Sequence, residues 1–174
     1  VHERFGVARD RLAVAYNGVS AQFQPVEAAT ARDRIREKLT IDGPYALFVG
    51  KLEPRKNVMR LLEAFALFRR ETRSETRLVM AGNRTAVTPA IEAQIARLDL
   101  QSAVVRPGYV PSELLASLYS GARMFLLPSL WEWFGIPIIE AMACGAPVLT
   151  SSVTCLPEIA GDAAVIVDPG STAS

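Results

Sequence analysis

The chain has 174 residues, of which 50% are hydrophobic and 21% charged, with a formal net charge of +1 at pH 7. This length gives room for one domain with a sizeable core. The near-zero charge argues against a nucleic-acid binder, because no excess of basic residues could neutralise many phosphates. No apolar run reaches the roughly 20 residues of a membrane span. We therefore expect a cytoplasmic protein, either free or peripheral at the inner membrane face.

From residue 45 onward, apolar runs alternate with helical patterns. The strands are predicted at 45–50, 77–82, 103–108, 123–129, 146–151 and 163–168, and the helices at 57–72, 88–100, 112–122, 136–144 and 156–160. In the second helix, Thr88 is the expected N-cap and Pro89 the first helical residue. Strands that are apolar throughout and alternate with helices indicate a parallel sheet covered on both faces. The prediction is an α/β, doubly wound, Rossmann-like domain.

The two ends of the chain do not follow this alternation. Residues 1–20 contain one more strand-like run, LAVAYNG at 12–18, and are assigned to the tail of a preceding domain and the connection from it. Residues 21–44 are assigned to a linker, and residues 45–174 to the domain itself. The final DPGSTAS shows no closing helix, so we expect the domain to be truncated there and a second domain to lie outside this chain.

Ligands of an open α/β sheet bind at the carboxyl ends of the strands, over the N-termini of the helices. The first such loop, GKLEPRKN, follows the first strand and carries Lys51, Arg55 and Lys56, with Asn57 available to cap the next helix. Cations beside free N–H groups at the start of a helix suit a phosphate or a diphosphate. A solvated basic turn explains the same residues, and this loop alone leaves both interpretations open.

The familiar nucleotide and metal motifs are absent from the sequence. There is no G-x-G-x-x-G of a dinucleotide site and no G-x-x-x-x-G-K-[ST] of a P-loop. The two cysteines fit neither a disulfide framework nor a metal-ligand spacing, and there is no Asp-x-Asp. We therefore predict no metal and no cofactor, and a diphosphate bound here would be neutralised by protein groups alone.

Residues 128–149, PSLWEWFGIPIIEAMACGAPVL, carry two glutamates on either side of a predicted helix start. Pro137 suits the first helical position, so the helix should begin near 135–136 and present N–H groups as an anion site. Glu132 would lie on the loop before it, and Glu140 about one turn inside it, facing the crevice. Two carboxylates there suit the hydroxyls of a sugar or ribose. Taken singly, a loop charge and an acidic residue in a first turn are ordinary alternatives.

Trp131 and Trp133 flank Glu132 in the same stretch. They could pack in the core or against another domain, or they could stack on a sugar. Because buried aromatic side chains mostly serve packing, the first interpretation is favoured at this point.

Together these features resemble the C-terminal, donor-binding domain of the retaining, GT-B-fold glycosyltransferases of family four, often called group one. The resemblance covers residues 45–170 in order and includes AYNGV at 15–19, which joins the two domains in such enzymes. Its most specific part is the E-x7-E pair followed by AMACG and PV. The other matching segments are VGKLEPRKN, AGN, GYVPSELLASLYSGA and LPEIAGDAAVIVDP.

The resemblance implies catalytic roles for three residues. Lys56 corresponds to the family lysine on the donor diphosphate. Lys51 stands where an arginine is usual, which keeps the charge but loses the bidentate geometry of a guanidinium. Glu132 corresponds to the first glutamate of the family pair, near the transferred sugar.

It also implies binding roles around the same loops. The backbone amides of Phe134, Gly135 and Ile136 would hold sugar hydroxyls and phosphate, and Glu140 would bind the ribose. Val110 corresponds to the position whose backbone meets the base, and Gly50 ends the first strand beside the diphosphate. Trp133 departs from the family, which more often has glycine there.

The function implied by the resemblance is metal-independent, retaining transfer of a hexose from a nucleotide-diphosphate sugar to an acceptor sugar or lipid-linked glycan. The expected partners are that donor, the acceptor and the protein's own N-terminal GT-B domain, with no nucleic acid. We expect this chain alone to bind donor without transferring sugar. The alternative is a non-catalytic domain that binds a nucleotide sugar for regulation.

Overall fold

The computed structural model describes residues 2–172, and its central element is a six-stranded sheet. The order of the strands is 3-2-1-4-5-6 in chain numbering, and every neighbouring pair is parallel. This arrangement confirms the predicted α/β, doubly wound, Rossmann-like fold. The strands are β1 (Tyr45–Val49), β2 (Arg77–Ala81), β3 (Val104–Gly108), β4 (Met124–Leu127), β5 (Val148–Ser151) and β6 (Ala164–Val167).

Helices cover the sheet in two groups. The α-helices are α1 (His2–Phe5), α2 (Ala28–Leu39), α3 (Val58–Thr72), α4 (Thr88–Arg97), α5 (Ser112–Ser120), α6 (Ile136–Ala143) and α7 (Leu156–Ala160). Helices α3 and α4 contact each other, whereas α5 contacts α2 and α6, and α6 contacts α7. Right-handed crossovers place the two groups on opposite faces, because the strand order runs outward in opposite directions from β1 and β4. None of these helices is long and apolar enough to cross a bilayer.

The central strands are buried on both faces. Leu47 and Phe48 are consecutive in β1 and therefore point to opposite sides of the sheet, yet both are fully buried. In β4, Phe125 and Leu127 are buried on one face, and Met124 and Leu126 on the other face are half-buried. This double burial explains why the sequence shows continuous apolar runs instead of alternation.

The part of the chain before β1 differs from the prediction. The run at 12–18 forms no strand and is exposed throughout, so the predicted strand is wrong. Within the segment assigned to a linker, residues 28–39 form helix α2, which packs against α5 through buried Ala31 and Ile35. The carboxylate of Glu27 accepts hydrogen bonds from two backbone N–H groups in the first turn of α2 and caps the helix.

Of the two predicted helix caps, Thr88 was placed wrongly, and Asn57 is the N-cap of α3 but forms no side-chain cap. Helix α4 begins at Thr88 with Val87 as its N-cap, and the Thr88 hydroxyl accepts from the Thr85 N–H at 2.8 Å. Thr88 therefore closes the preceding turn instead of capping the helix. Asn57 precedes α3 in a left-handed conformation, and its side chain donates to the Pro169 carbonyl at 2.9 Å. It ties α3 to the segment after β6 and leaves the N-terminus of α3 without a side-chain cap.

Candidate active site

The strand order reverses between β1 and β4, which are neighbours in the sheet although two strands separate them in sequence. The loops that leave their carboxyl ends, 50–57 and 128–135, lead to helices on opposite faces and open a crevice between them. The two loops are joined directly, because the Leu130 N–H donates to the Arg55 carbonyl at 2.8 Å. The predicted ligand loops therefore meet at the one place in an open sheet where a crevice forms.

Glu132 is the centre of a buried polar cluster in this crevice. Its Oε1 accepts from Lys56 Nζ at 2.5 Å and from Ser129 Oγ at 2.7 Å, and its Oε2 accepts from Arg55 Nη1 at 2.7 Å. The guanidinium of Arg55 also donates through Nε to Glu53 at 3.0 Å. Glu132 and Lys56 retain only 8% and 5% of their surface exposed. A pair buried this deeply persists only when both charges are compensated, and here they compensate each other.

The electrostatics of the cluster follow from its geometry. Burial acts to raise the pKa of Glu132, but hydrogen bonds from Lys56, Ser129 and Arg55 outweigh it and leave this pKa below its ordinary value. Burial likewise acts to lower the pKa of Arg55, and the carboxylates of Glu132 and Glu53 reverse that effect. Glu132 is therefore ionised at neutral pH and cannot act there as a proton donor. Its chemistry is that of a fixed negative charge.

The first loop carries two more of the predicted residues, Gly50 and Lys51. A β-carbon placed on Gly50 would lie 3.4 Å from Lys56 Cε, so Gly50 packs directly against the lysine side chain that reaches Glu132. Lys51 follows directly and is exposed to solvent at the mouth of the crevice. A cation in each environment, one buried and one solvated, suits the two phosphates of a diphosphate.

Helix α6 begins at the same crevice. Gly135 is its N-cap with φ +91°, and the helix starts at Ile136. Pro137 is therefore the second residue of the helix, not the first as predicted. A β-carbon at Gly135 would lie 2.9 Å from Leu156 Cδ2. Pro137 carries no N–H, and the Ile138 N–H donates to the Gly135 carbonyl at 2.8 Å. The N–H groups that this helix start can offer to an anion are therefore those of Gly135 and Ile136, next to that of Phe134.

The remaining predicted residues lie outside the Glu132 cluster. Glu140 is half-buried on α6 and accepts from the Tyr119 hydroxyl at 2.9 Å, and burial raises its pKa despite that hydrogen bond. Val110 is buried just before α5, while its neighbour Tyr109 is exposed. No hydrogen bond or ion pair within residues 2–172 joins Glu140 or Val110 to Glu132. The nucleoside roles of Glu140 and Val110 stay predictions.

Three residues of the site were missed or given no role from sequence. Arg55 was noted only as a charge, although it holds Glu132. Ser129, three residues before Glu132 in the same loop, donates to its carboxylate, and no local pattern predicts that contact. Tyr16, from the exposed segment before α2, donates to Glu158 on α7, and its ring lies 6.3 Å from that of Phe134. No local sequence pattern predicts this long-range contact.

No group of three or more His, Cys, Asp or Glu side chains within residues 2–172 is arranged to hold a metal ion. The charged groups that the crevice offers to a phosphate are the cationic side chains of Lys51, Arg55 and Lys56 and the start of α6.

Comparison with known proteins agrees with this geometry. The family described as "Glycosyl transferases group 1" matches residues 31–174. O-antigen chain mannosyltransferase B of Escherichia coli is 38% identical over 165 residues, which cover 95% of this chain and 43% of that protein. D-inositol 3-phosphate glycosyltransferase of Acidothermus cellulolyticus is 33% identical and is covered to 38%. The chain thus spans less than half the length of these relatives.

Solved structures show the same fold. Sucrose-phosphate synthase from Thermosynechococcus elongatus has a TM-score of 0.75 at 28% identity, covering 91% of this chain and 39% of that one. Anabaena HepE, solved in complex with UDP and glucose, has a TM-score of 0.82 at 22% identity, covering 96% and 46%. This chain spans less than half of each of these two solved proteins. With the family match over most of its length, this chain belongs to the glycosyl transferases group 1.

Proposed function

We propose that this chain is the donor-binding domain of a retaining, metal-independent hexosyltransferase that uses a nucleotide-diphosphate sugar. The observation that carries the proposal is the Lys56–Glu132–Arg55 cluster, which lies at the reversal of the strand order beside the start of α6. Fixed cations and helix N–H groups suit the diphosphate, and an ionised carboxylate suits the sugar.

In the proposed reaction, the bond between the anomeric carbon and the phosphate oxygen breaks while the acceptor hydroxyl attacks on the same face. The departing phosphate oxygen takes the acceptor proton. Lys51, Lys56 and the N-terminus of α6 stabilise the negative charge that grows on the diphosphate. Glu132 positions the sugar and eases the positive charge that develops at its ring.

The ion pair between Lys56 and Glu132 gives this mechanism a specific starting state. An ammonium group has three N–H donors, so Lys56 can hold Glu132 and still donate to a phosphate oxygen. Glu132 thereby fixes the direction of the lysine side chain before the donor arrives. A cation fixed in this way needs little rearrangement when the diphosphate charge grows, which is the property that makes such groups effective.

We also propose that an N-terminal domain supplies the facing half of the site and completes the binding of the acceptor. The support is that this chain spans less than half the length of its relatives. Positioning of the acceptor and exclusion of water supply a large part of a transfer barrier, so the chain by itself should bind donor and transfer no sugar. In the alternative, a regulatory domain, even the full-length protein would bind donor without turning it over. A donor-turnover assay on the full-length protein separates the two.

Binding of a nucleoside diphosphate is expected to be independent of added metal. The phosphate partners available in the crevice are side-chain cations and helix N–H groups, which need no metal to bind an anion. Calorimetric titration of the chain with UDP, GDP and ADP, in chelator and again with magnesium, tests this. We expect the nucleotide that binds most tightly to have the same affinity in chelator and in magnesium. Affinity that disappears in chelator would contradict the proposal.

The Lys56→Ala substitution is expected to weaken a nucleoside diphosphate by about 1.5–3 kcal/mol, the scale of a charged hydrogen bond. The free nucleoside should lose far less, because it has no phosphate. Glu140→Gln is the contrasting variant, since it keeps an acceptor for Tyr119 and should weaken nucleoside and diphosphate equally. Thermal melting of each variant confirms that it is folded. Equal losses of both ligands in Lys56→Ala would show that Lys56 does not contact phosphate.

A further inference from the structure

Trp131 and Trp133 form an exposed aromatic pair beside the candidate active site. Trp133 is 84% exposed and Trp131 40%, and their ring centroids lie 4.3 Å apart with the planes at 79°. Packing in the core, one of the uses considered from sequence, is therefore excluded. Large aromatic side chains exposed as a contiguous group usually mark a site of interaction.

The pair is fixed in place by the active site itself. Glu132 lies between the two tryptophans and points inward to Arg55 and Lys56, so its neighbours on either side point outward. The Trp131 carbonyl also accepts from Arg55 Nη1 at 3.4 Å. The rings are therefore presented from the same loop segment that holds the catalytic carboxylate.

Resting on the proposed function, we propose that this pair is a stacking platform for a sugar ring of the acceptor glycan. The C–H faces of a pyranose are weakly positive and apolar, and they complement the negative face of an indole ring. The guanidinium of Arg55, 37% exposed, and the carboxylate of Glu53 lie at the edge of the platform and can bond the hydroxyls around the sugar. A ring seated there lies next to the proposed position of the transferred sugar.

A carbohydrate fits this surface better than a protein partner does. The hydroxyls of a sugar need hydrogen-bond donors and acceptors close around an apolar face. The side chains of Arg55 and Glu53, two residues apart and bonded to each other, supply a donor and an acceptor. The core of a protein interface also favours tryptophan and arginine, but it is depleted of carboxylates such as that of Glu53. Docking of a protein surface on the same tryptophans is the competing outcome of the experiment below.

The chain offers a direct optical test, because Trp131 and Trp133 are its only tryptophans. Tryptophan fluorescence, excited at a wavelength that tyrosine does not absorb, therefore reports on this pair alone. We expect titration with a mannose or a glucose oligosaccharide to change the emission saturably, in the presence of the nucleoside diphosphate that binds tightest.

Trp131→Phe should retain the response through Trp133. Trp133→Ala should weaken sugar binding about tenfold by calorimetry, the scale of an aromatic contact. Leu130→Ala, an exposed neighbour in the same loop, is the matched control and should leave sugar affinity unchanged.

The outcomes separate this inference from the proposed function. A chain that binds nucleoside diphosphate but shows no saturable response to any oligosaccharide would overturn the platform and leave the donor site intact. Failure of the wild-type chain to bind any nucleoside diphosphate would instead overturn the proposed function. Sedimentation that depends on protein concentration in the wild type, and no longer does so in Trp133→Ala, would show that the pair binds protein and would also overturn the platform.

Discussion

Replacing Glu132 with glutamine is expected to lower the free energy of unfolding at pH 7 by about 3 kcal/mol or more, the scale of removing one partner of a buried ion pair. The substitution keeps the size of the side chain but removes its charge. Lys56 then remains buried without its counter-ion, and the new amide group brings a donor toward Arg55 or Lys56. Urea denaturation of the wild type and the variant measures the difference.

The pH dependence of this difference provides a second measurement. The pKa of Glu132 is lower in the folded chain than its ordinary value of 4.5. Its ionised form therefore stabilises the fold above the unfolded pKa, and this contribution is lost as the pH falls through the folded pKa. The gap between wild type and Glu132→Gln should be constant near neutral pH and should shrink below about pH 4.5.

Glu53→Gln is the matched control for both measurements. Glu53 bonds the same guanidinium of Arg55, but its side chain is one-third exposed, so solvent screens the interaction. We expect a loss below about 1 kcal/mol, as for exposed ion pairs. If the two substitutions have equal effects, or if Glu132→Gln is as stable as the wild type at pH 7, burial does not strengthen the contribution of the Glu132 ion pair to stability.

The fold could be predicted because its signals are local and occur repeatedly. Each central strand is apolar on both faces, and helices alternate with the strands. Helix α2 was missed because only Ala31 and Ile35 are buried among its twelve residues, and its N-cap is a glutamate, outside the residues preferred there. The run at 12–18 has strand-like residues, but a strand needs a neighbour to bond, and the sheet offers it none.

The position of the site could be predicted, but its internal contacts could not. The rule for open sheets selects the loops at 50–57 and 128–135 without any knowledge of side chains. The pairing of Lys56 with Glu132 joins residues 76 positions apart, and that of Tyr119 with Glu140 joins residues 21 apart. No local periodicity encodes such pairs. The exposure of Trp133 was hidden for the same reason, since it depends on where Glu132 finds its cations.

Replacing Gly135 with alanine is expected to disrupt the start of α6 and, with it, the anion site. Its φ of +91° is strained for a residue with a side chain, which costs about 1–2 kcal/mol. The new methyl group would also overlap Leu156 Cδ2 at 2.9 Å, and crowding of this kind adds about 1–3 kcal/mol. Leu156 is fully buried, so the overlap is relieved either by rotation of its side chain or by movement of the loop that carries Glu132. We expect the loop to move in part, so diphosphate affinity should fall together with stability. Gly145→Ala is the matched control at the other end of α6, where φ is +76° and no atom lies within 4 Å of the new carbon. It therefore isolates the cost of the strained backbone conformation and should leave diphosphate affinity unchanged. Urea denaturation and calorimetric titration of both variants measure these effects. A Gly135→Ala variant that matches Gly145→Ala in stability and binds diphosphate normally would remove the start of α6 from the proposed site.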